Sequence, residues 1–534
     1  METRRNTASD LKQHTALYRY HALALLAGLT VFRLLIAGRF GLSTDESHYV
    51  LYARNLAWGY FDHPPMVAFL GALTMQLGDS VFYARLGPII CSLLAMIILW
   101  RLVANIYQDE KLAAYALALF MLIPINHLLG VALLPDATLN LFWCAGLFTV
   151  WFALERGEWR WWIATGVLLG GALLSKYHAV LFPLCVLIYI ISFKKTWPWL
   201  WNVKPYVSGL IALLIFLPNI MWNSQHEWIS YLFQLGHGGG QGVFKLQNLF
   251  KSLGGQLAVG SPVLFVLFLL VALNLIRNRA ASKEDRFFLC VSLPVFAFFC
   301  LIGLFGKVLP HWPAVAWFGA APLLAVSWTR AMQSGSQIAQ RWHKWGRIGV
   351  AVAAGMIMLM YSAITLPLTR SAYRAAESVS QQISALIPAI PAMPPFQTKF
   401  DITNDLYGWE EVAAQIEELR ASMPNPDKTF VFCHRFFLMS QIGVFLQRET
   451  VRTSLEDRAS QYLLWFNPEK YRDWDALFID YHMRWHQGPD RYRPLFEDID
   501  QKSERIEIYR GGEIVHSFDI FRYYGFKGHR EGGA

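Results

Sequence analysis

Mostly apolar runs, the majority near the roughly 20 residues that cross a hydrocarbon core, recur along this 534-residue chain. They fall at 20–38, 81–102, 112–126, 137–154, 161–175, 178–193, 206–222, 257–276, 287–305, 313–328 and 348–367, about eleven in all. A soluble protein carries about 25% charged residues, whereas this chain carries 16%. Its 21 Trp fit a large membrane–water interface, where such rings collect. The first run leads straight into patterned chain without a small-residue cleavage site, so it reads as a span and not as a signal peptide. The chain is therefore a polytopic α-helical membrane protein. Six Cys without CxxC or Cys/His spacing offer neither a disulfide framework nor a zinc site. The net charge of +9 is spread between the runs, not gathered in one patch, so no nucleic-acid partner is expected.

Orientation follows from Lys and Arg in the short loops. With a cytoplasmic N-terminus, nineteen basic residues fall inside, from Arg4 to Arg347. Seven fall outside: Arg39, Arg54, Arg85, Lys176, Lys245, Lys251 and Lys307. An odd number of spans then places the C-terminal region outside. Residues 1–367 form the transmembrane module, with outer loops at 39–80, 127–136, 223–250 and 306–313. Pro388, Pro391, Pro394 and Pro395 mark a linker over 368–395. Residues 396–534 read as a small α/β domain. Within it, 408–422 is an amphipathic helix, Thr429–Cys433 and Ala476–Asp480 are buried strands, and Gly511-Gly512 joins a hairpin. Its acids and histidines show no spacing that suggests a paired acid/base or metal site, so it is expected to shape acceptor access and not to supply chemistry.

Ionisable groups near membrane depth are costly and usually face a working cavity. On the outer side they cluster. Asp45-Glu46 and His48 follow the first span, and Asp62-His63-Pro64-Pro65 precedes the second. Asp136 and Lys176 stand at span mouths; His237 precedes a glycine run; Lys307 and His311-Trp312 close the set. Each has a plainer reading. Asp45, Glu46 and Asp136 fit helix caps, and Asp62 to Pro65 fits a turn with Pro at a helix start. Lys176 fits a snorkelling cation, and His237 and Lys307 fit ordinary loop residues. Together, carboxylates, His and Lys at one membrane face suit transfer from a lipid-linked phosphate donor: a carboxylate as general base, and cations or a metal on the departing phosphate. No GxxxxGK[ST] or GxGxxG motif points to a soluble nucleotide.

At these residues the sequence resembles the GT-C superfamily of integral-membrane glycosyltransferases, in the bacterial branch related to protein O-mannosyltransferases and the lipid A aminoarabinose transferase. The resemblance rests on Asp45-Glu46 after the first span, Asp62-His63-Pro64-Pro65, Leu134-Pro135-Asp136-Ala137, Ser175-Lys176, Lys307 to Pro313 and Asn404 to Glu411. It implies an inverting transferase that moves a sugar from a polyprenyl-phosphate donor to a lipid, glycan or protein acceptor, on the periplasmic side of the bacterial inner membrane. It implies Asp45 as the catalytic carboxylate, with Glu46 and Asp136 as further acids. His48, His63, Lys176 and Lys307 would face the donor phosphate. Asp62 and His237 would hold a divalent cation (zinc, magnesium or manganese), the metal-free alternative being an Asp–His hydrogen bond. Where the aminoarabinose transferase carries Arg and Lys, this chain has His48 and His63, weaker and pH-dependent cations. A lipid-linked oligosaccharide ligase or polymerase is chemically close to this reading. A transporter is further off, because no inverted repeat is visible.

Overall fold

The computed structural model describes residues 2–239, 244–277, 281–334, 336–366, 368–387, 392–398, 401–483, 486–500 and 502–528; the side chains of 2–14, 237–239, 338, 368–370, 372 and 402 fall outside that description. In chain order its helices are α1 (Glu2–Ile36), α2 (Thr44–Arg54), α3 (Met66–Met75), α4 (Val81–Tyr107), α5 (Glu110–Met121), α6 (Pro124–Leu129) and α7 (Pro135–Arg156). There follow α8 (Trp159–Ser175), α9 (Leu181–Ser192), α10 (Val203–Gln225), α11 (Ile229–Gly239), α12 (Leu246–Gly260), α13 (Pro262–Arg277) and α14 (Lys283–Cys290). The last are α15 (Leu293–Gly303), α16 (Trp317–Ser334), α17 (Gln337–Thr365), α18 (Leu368–Leu386), α19 (Trp409–Ala421), α20 (Phe436–Gly443) and α21 (Gln461–Trp465). The chain divides into two compact units: residues 1–37 with 56–358, and residues 38–55 with 359–534.

Among its described residues the first unit's regular elements are all helices. Among the described residues of the chain, six helical stretches are long and apolar enough to cross a membrane on their own, and a seventh forms if the bent pair α12–α13 counts as one. The other expected spans are helical too, but shorter: α5, α8 and the Tyr177–Ser192 stretch, each under 18 residues, and α16. The span expected at 257–276 is broken. Pro262 disfavours the helical conformation at the residue before it; Ser261 takes φ 69°, and α12 and α13 meet at 111°. Close packing elsewhere rests on small residues, as lipid-bathed helices require. A Cβ on Gly166 of α8 would stand 2.5 Å from the Ser208 carbonyl oxygen of α10, and one on Gly170 would stand 2.7 Å from Ile215. A charge inside the first span is held at both terminal nitrogens: Arg33 donates to Ser92 Oγ at 2.7 Å and to the Asn126 carbonyl at 2.8 Å.

The second unit holds a six-stranded mixed sheet: β1 (Thr429–Cys433), β2 (Arg452–Ser454), β3 (Asp475–Tyr481), β4 (Phe496–Ile499), β5 (Glu504–Arg510) and β6 (Glu513–Phe526). The order is β2-β1-β3-β6-β4, with β5 also on β6. β1 pairs in parallel with β2 and β3, and β3, β4 and β5 run antiparallel to β6. The β5–β6 hairpin turns at Gly511-Gly512, both with positive φ, as a two-residue primed turn demands. Phenylalanines and tyrosines of β1, β3 and β6 build its core. The expected strands, hairpin and 408–422 helix all form at their sites. Two features differ from expectation. The stretch read as linker carries a 19-residue helix, α18. The first outer loop, read with the transmembrane module, contains α2 and α3, and α2 groups with the second unit, where it packs on α20.

Candidate active site

α2 begins at a capping box. Ser43 Oγ accepts from the Glu46 amide at 3.4 Å, and Glu46 Oε2 accepts from the Ser43 amide at 2.9 Å and from its hydroxyl at 3.0 Å. Glu46 is thereby buried as a cap, while its neighbour Asp45 stands exposed in the first turn. His48, one turn on, is buried among Tyr52, Phe436 and Tyr462, with its Nδ1 3.3 Å from Ser440 Oγ. Ser47 donates to Gln441 at 2.8 Å. Asp45, Glu46 and His48 thus belong to the second unit.

The remaining described site residues belong to the first unit, and part of them converge. Asp136 sits in the first turn of α7, after Pro135 at N1. Lys176 is the extended residue that ends α8. Its Nζ meets both Asp136 oxygens, at 2.9 and 2.8 Å, with each side chain only 4% exposed. Two imidazoles to which residue order assigned no role in the site join them, His178 and His311, both close enough to act electrostatically on Asp136. Trp312 packs edge-on to His178, with ring centroids 5.2 Å apart. Burial holds His311 down at about 4 against the pull of Asp136, with Lys176 and His63 adding to the fall. His311 is therefore neutral at pH 7, a hydrogen-bonding ring and not a cation. Its Pro310-His311-Trp312-Pro313 setting was visible in the sequence; its partners, more than a hundred residues upstream, were not.

His63 acts on both His178 and His311, which brings it to the same cluster. Its Nδ1 lies 3.1 Å from Asp62 Oδ2, and both side chains are 17% exposed. The loop that carries them is tied down: Gln234 donates to the Asp62 carbonyl at 2.6 Å, Asn219 to the Trp58 carbonyl at 2.9 Å, and Ser230 to the Tyr60 carbonyl. Asp62 and His63 offer one oxygen and one nitrogen, a donor pair that suits zinc. The side chain of His237, the expected metal partner, lies outside the described residues. Lys307 is exposed and is not among the groups acting on Asp136.

The crystal structure of ArnT from Cupriavidus metallidurans bound to undecaprenyl phosphate superposes with TM-score 0.62 at 14% identity, over 93% of this chain and 97% of that one. The chain has a GT-C fold. A family model described as dolichyl-phosphate-mannose-protein mannosyltransferase matches residues 62–222 of this GT-C chain, from Asp62 through Asp136 and Lys176 to the end of α10. The lipid A galacturonosyltransferase RgtD of Rhizobium johnstonii is 25% identical over 315 residues, 57% of this chain and 64% of that protein. The undecaprenyl phosphate-alpha-4-amino-4-deoxy-L-arabinose arabinosyl transferase of Edwardsiella ictaluri is 23% identical over 38% of this chain and 40% of its own length. The chain thus spans less than two thirds of these curated relatives.

Proposed function

We propose that this chain is an inverting glycosyltransferase that moves a sugar from a polyprenyl-phosphate donor to an envelope acceptor at the periplasmic face of the bacterial inner membrane. The observation that carries the reading is the Asp136–Lys176 pair, with His63, His178 and His311 around it, inside a fold shared with a protein that binds undecaprenyl phosphate. An ammonium has three hydrogens; Asp136 orients Lys176, and the remaining N–H is available to a phosphate oxygen. Neutral His311 adds a donor without adding charge. Asp62 with His63, or with His237, would hold a divalent cation, and that cation would neutralise charge on the departing phosphate. Asp45 is the general base on the acceptor hydroxyl, because Glu46 is committed to the cap and Asp45 is exposed beside it. The relatives act on lipid A and lipopolysaccharide core, which favours a lipopolysaccharide acceptor here. The test is sugar transfer by purified Asp45→Asn from a polyprenyl-phosphate donor. Removing a general base lowers the rate by about 10²–10⁴-fold, and a folded variant working at the wild-type rate overturns the assignment.

A further inference from the structure

Strands β3 and β6 set two carboxylates face to face. Asp480 and Asp519 are direct cross-strand partners, 1% and 6% exposed. Like charges opposite one another destabilise a sheet, so each needs a cation. Asp519 has one: Arg505, opposite it on β5, donates Nε to Oδ1 at 3.0 Å and Nη2 to Oδ2 at 3.3 Å. Asp480 pairs with no Lys or Arg among the described residues. Its oxygens accept the Gln487 and Gly488 amides at 3.0 and 2.9 Å, which orient the carboxylate without neutralising it.

Two histidines close over this pair. His486 Nδ1 lies 2.8 Å from Asp480 Oδ2, and His482 Nδ1 lies 3.6 Å from Asp519 Oδ2. Their rings are 5.1 Å apart, and ligand atoms of His482, His486 and Asp519 all lie within 4.8 Å of one another. Both imidazoles are about half exposed, 49% and 51%, so burial does not drive them onto the carboxylates. Two nitrogens and two oxygens form a zinc donor set, and bonds of about 2.0–2.2 Å put tetrahedral donors roughly 3.3–3.5 Å apart. The exposed rings are free of the packing that would fix them, and the two amides on Asp480 supply the outer hydrogen bonds that ligating carboxylates require.

We propose that His482, His486, Asp480 and Asp519 form a closed zinc site that pins the chain after β3 to β6. Four protein ligands leave no open position, so the site is structural and not catalytic. It stands independently of the transferase reading. The full-length protein in detergent, stripped with chelator and dialysed against zinc, is assayed for bound metal per chain and for Tm. His482→Gln/His486→Gln is expected to bind one zinc fewer than wild type and to lose the zinc-dependent rise in Tm, with its metal-free Tm unchanged. Asp62→Asn, which removes a donor in the other unit, is expected to keep that rise. His482→Gln alone serves where the double variant fails to fold. Cobalt in place of zinc is expected to give a tetrahedral absorption band in wild type and in Asp62→Asn, and to lose it in the histidine variants. Equal zinc content and equal Tm response in wild type and the histidine variants overturn the site and leave only Asp–His hydrogen bonds.

Discussion

The two ends of α7 carry ion pairs of opposite character. At its start, Asp136 and Lys176 are each 4% exposed and bound through both carboxylate oxygens. At its end, Glu155 pairs with Lys283, at 35% and 37% exposure. Nearby, Asp285 takes a guanidinium that is itself 54% exposed, Arg330, at 2.5 Å. Pairs open to solvent contribute about 0–1 kcal/mol. A buried pair is different: well-packed apolar residues in its place often match or exceed its stability, but losing one partner leaves a buried charge and costs about 3–5 kcal/mol. Stability alone therefore gives no reason to bury charge at the start of α7. The proposed donor-phosphate role of Lys176 supplies such a reason, and the exposed pair at the other end needs none.

The comparison breaks first at Lys176. Lys176→Met leaves Asp136 buried without its counter-charge and is expected to lower stability by about 3–5 kcal/mol. Asp136→Leu/Lys176→Met is expected to recover most of that loss while transfer stays abolished. Thermal unfolding in detergent beside a transfer assay reads both, and an active double variant would remove the pair from the site.

His311 sharpens the same contrast through pH. Its folded value of about 4 lies below the ordinary 6.5 because of burial. The unfolded chain takes up a proton near pH 6.5 and the folded chain only near pH 4. Stability is thus full above about pH 6.5 and falls as the pH drops towards 4, by ~1.4 kcal/mol per pH unit. Wild type and His311→Asn, unfolded thermally between pH 7 and pH 4.5, are expected to differ by that slope. Parallel curves would mean that the ring is solvated.

Smaller effects belong to the exposed features. Ser43→Ala removes the cap of α2 and is expected to cost about 1 kcal/mol, measured as a fall in denaturation midpoint. Lys283→Met, at the screened end of α7, is expected to change stability by no more than about 1 kcal/mol and to leave transfer unchanged. A loss as large as that of Lys176→Met would erase the distinction between the two ends.

Much of this was legible in residue order. Apolar runs located the helices of the first unit, and the alternation around Gly511-Gly512 located the hairpin. The start of α2 was written as Ser43-x-x-Glu46, yet two adjacent acids drew attention to Asp45 and Glu46 as a catalytic pair. The geometry separates them, because only the third helical position reaches back to the cap. The bend at Ser261 had its signal in Pro262, masked by apolar residues on both sides. The pairing of Asp136 with Lys176, and the convergence of His178 and His311 on it, had no local signal, since these residues meet only when α7, α8 and the loop before α16 pack. His482 and His486 gave no metal-site signal in the sequence, because their carboxylate partners come from strand register, which no short motif records.

The interaction of Ser47 with Gln441 joins residues 394 apart, and that has a consequence in time. At roughly 5–20 residues per second, a ribosome that has made α2 needs on the order of 20–80 s to reach α20. For that interval the segment bearing Asp45 has left the first span without the partners that seat it. The membrane unit can finish inserting while α2, already made, waits for the rest of the second unit. Assembly of the second unit is gated by the last third of translation, and a nascent chain halted before Gln441 would hold a complete Asp136–Lys176 pair but an unseated α2.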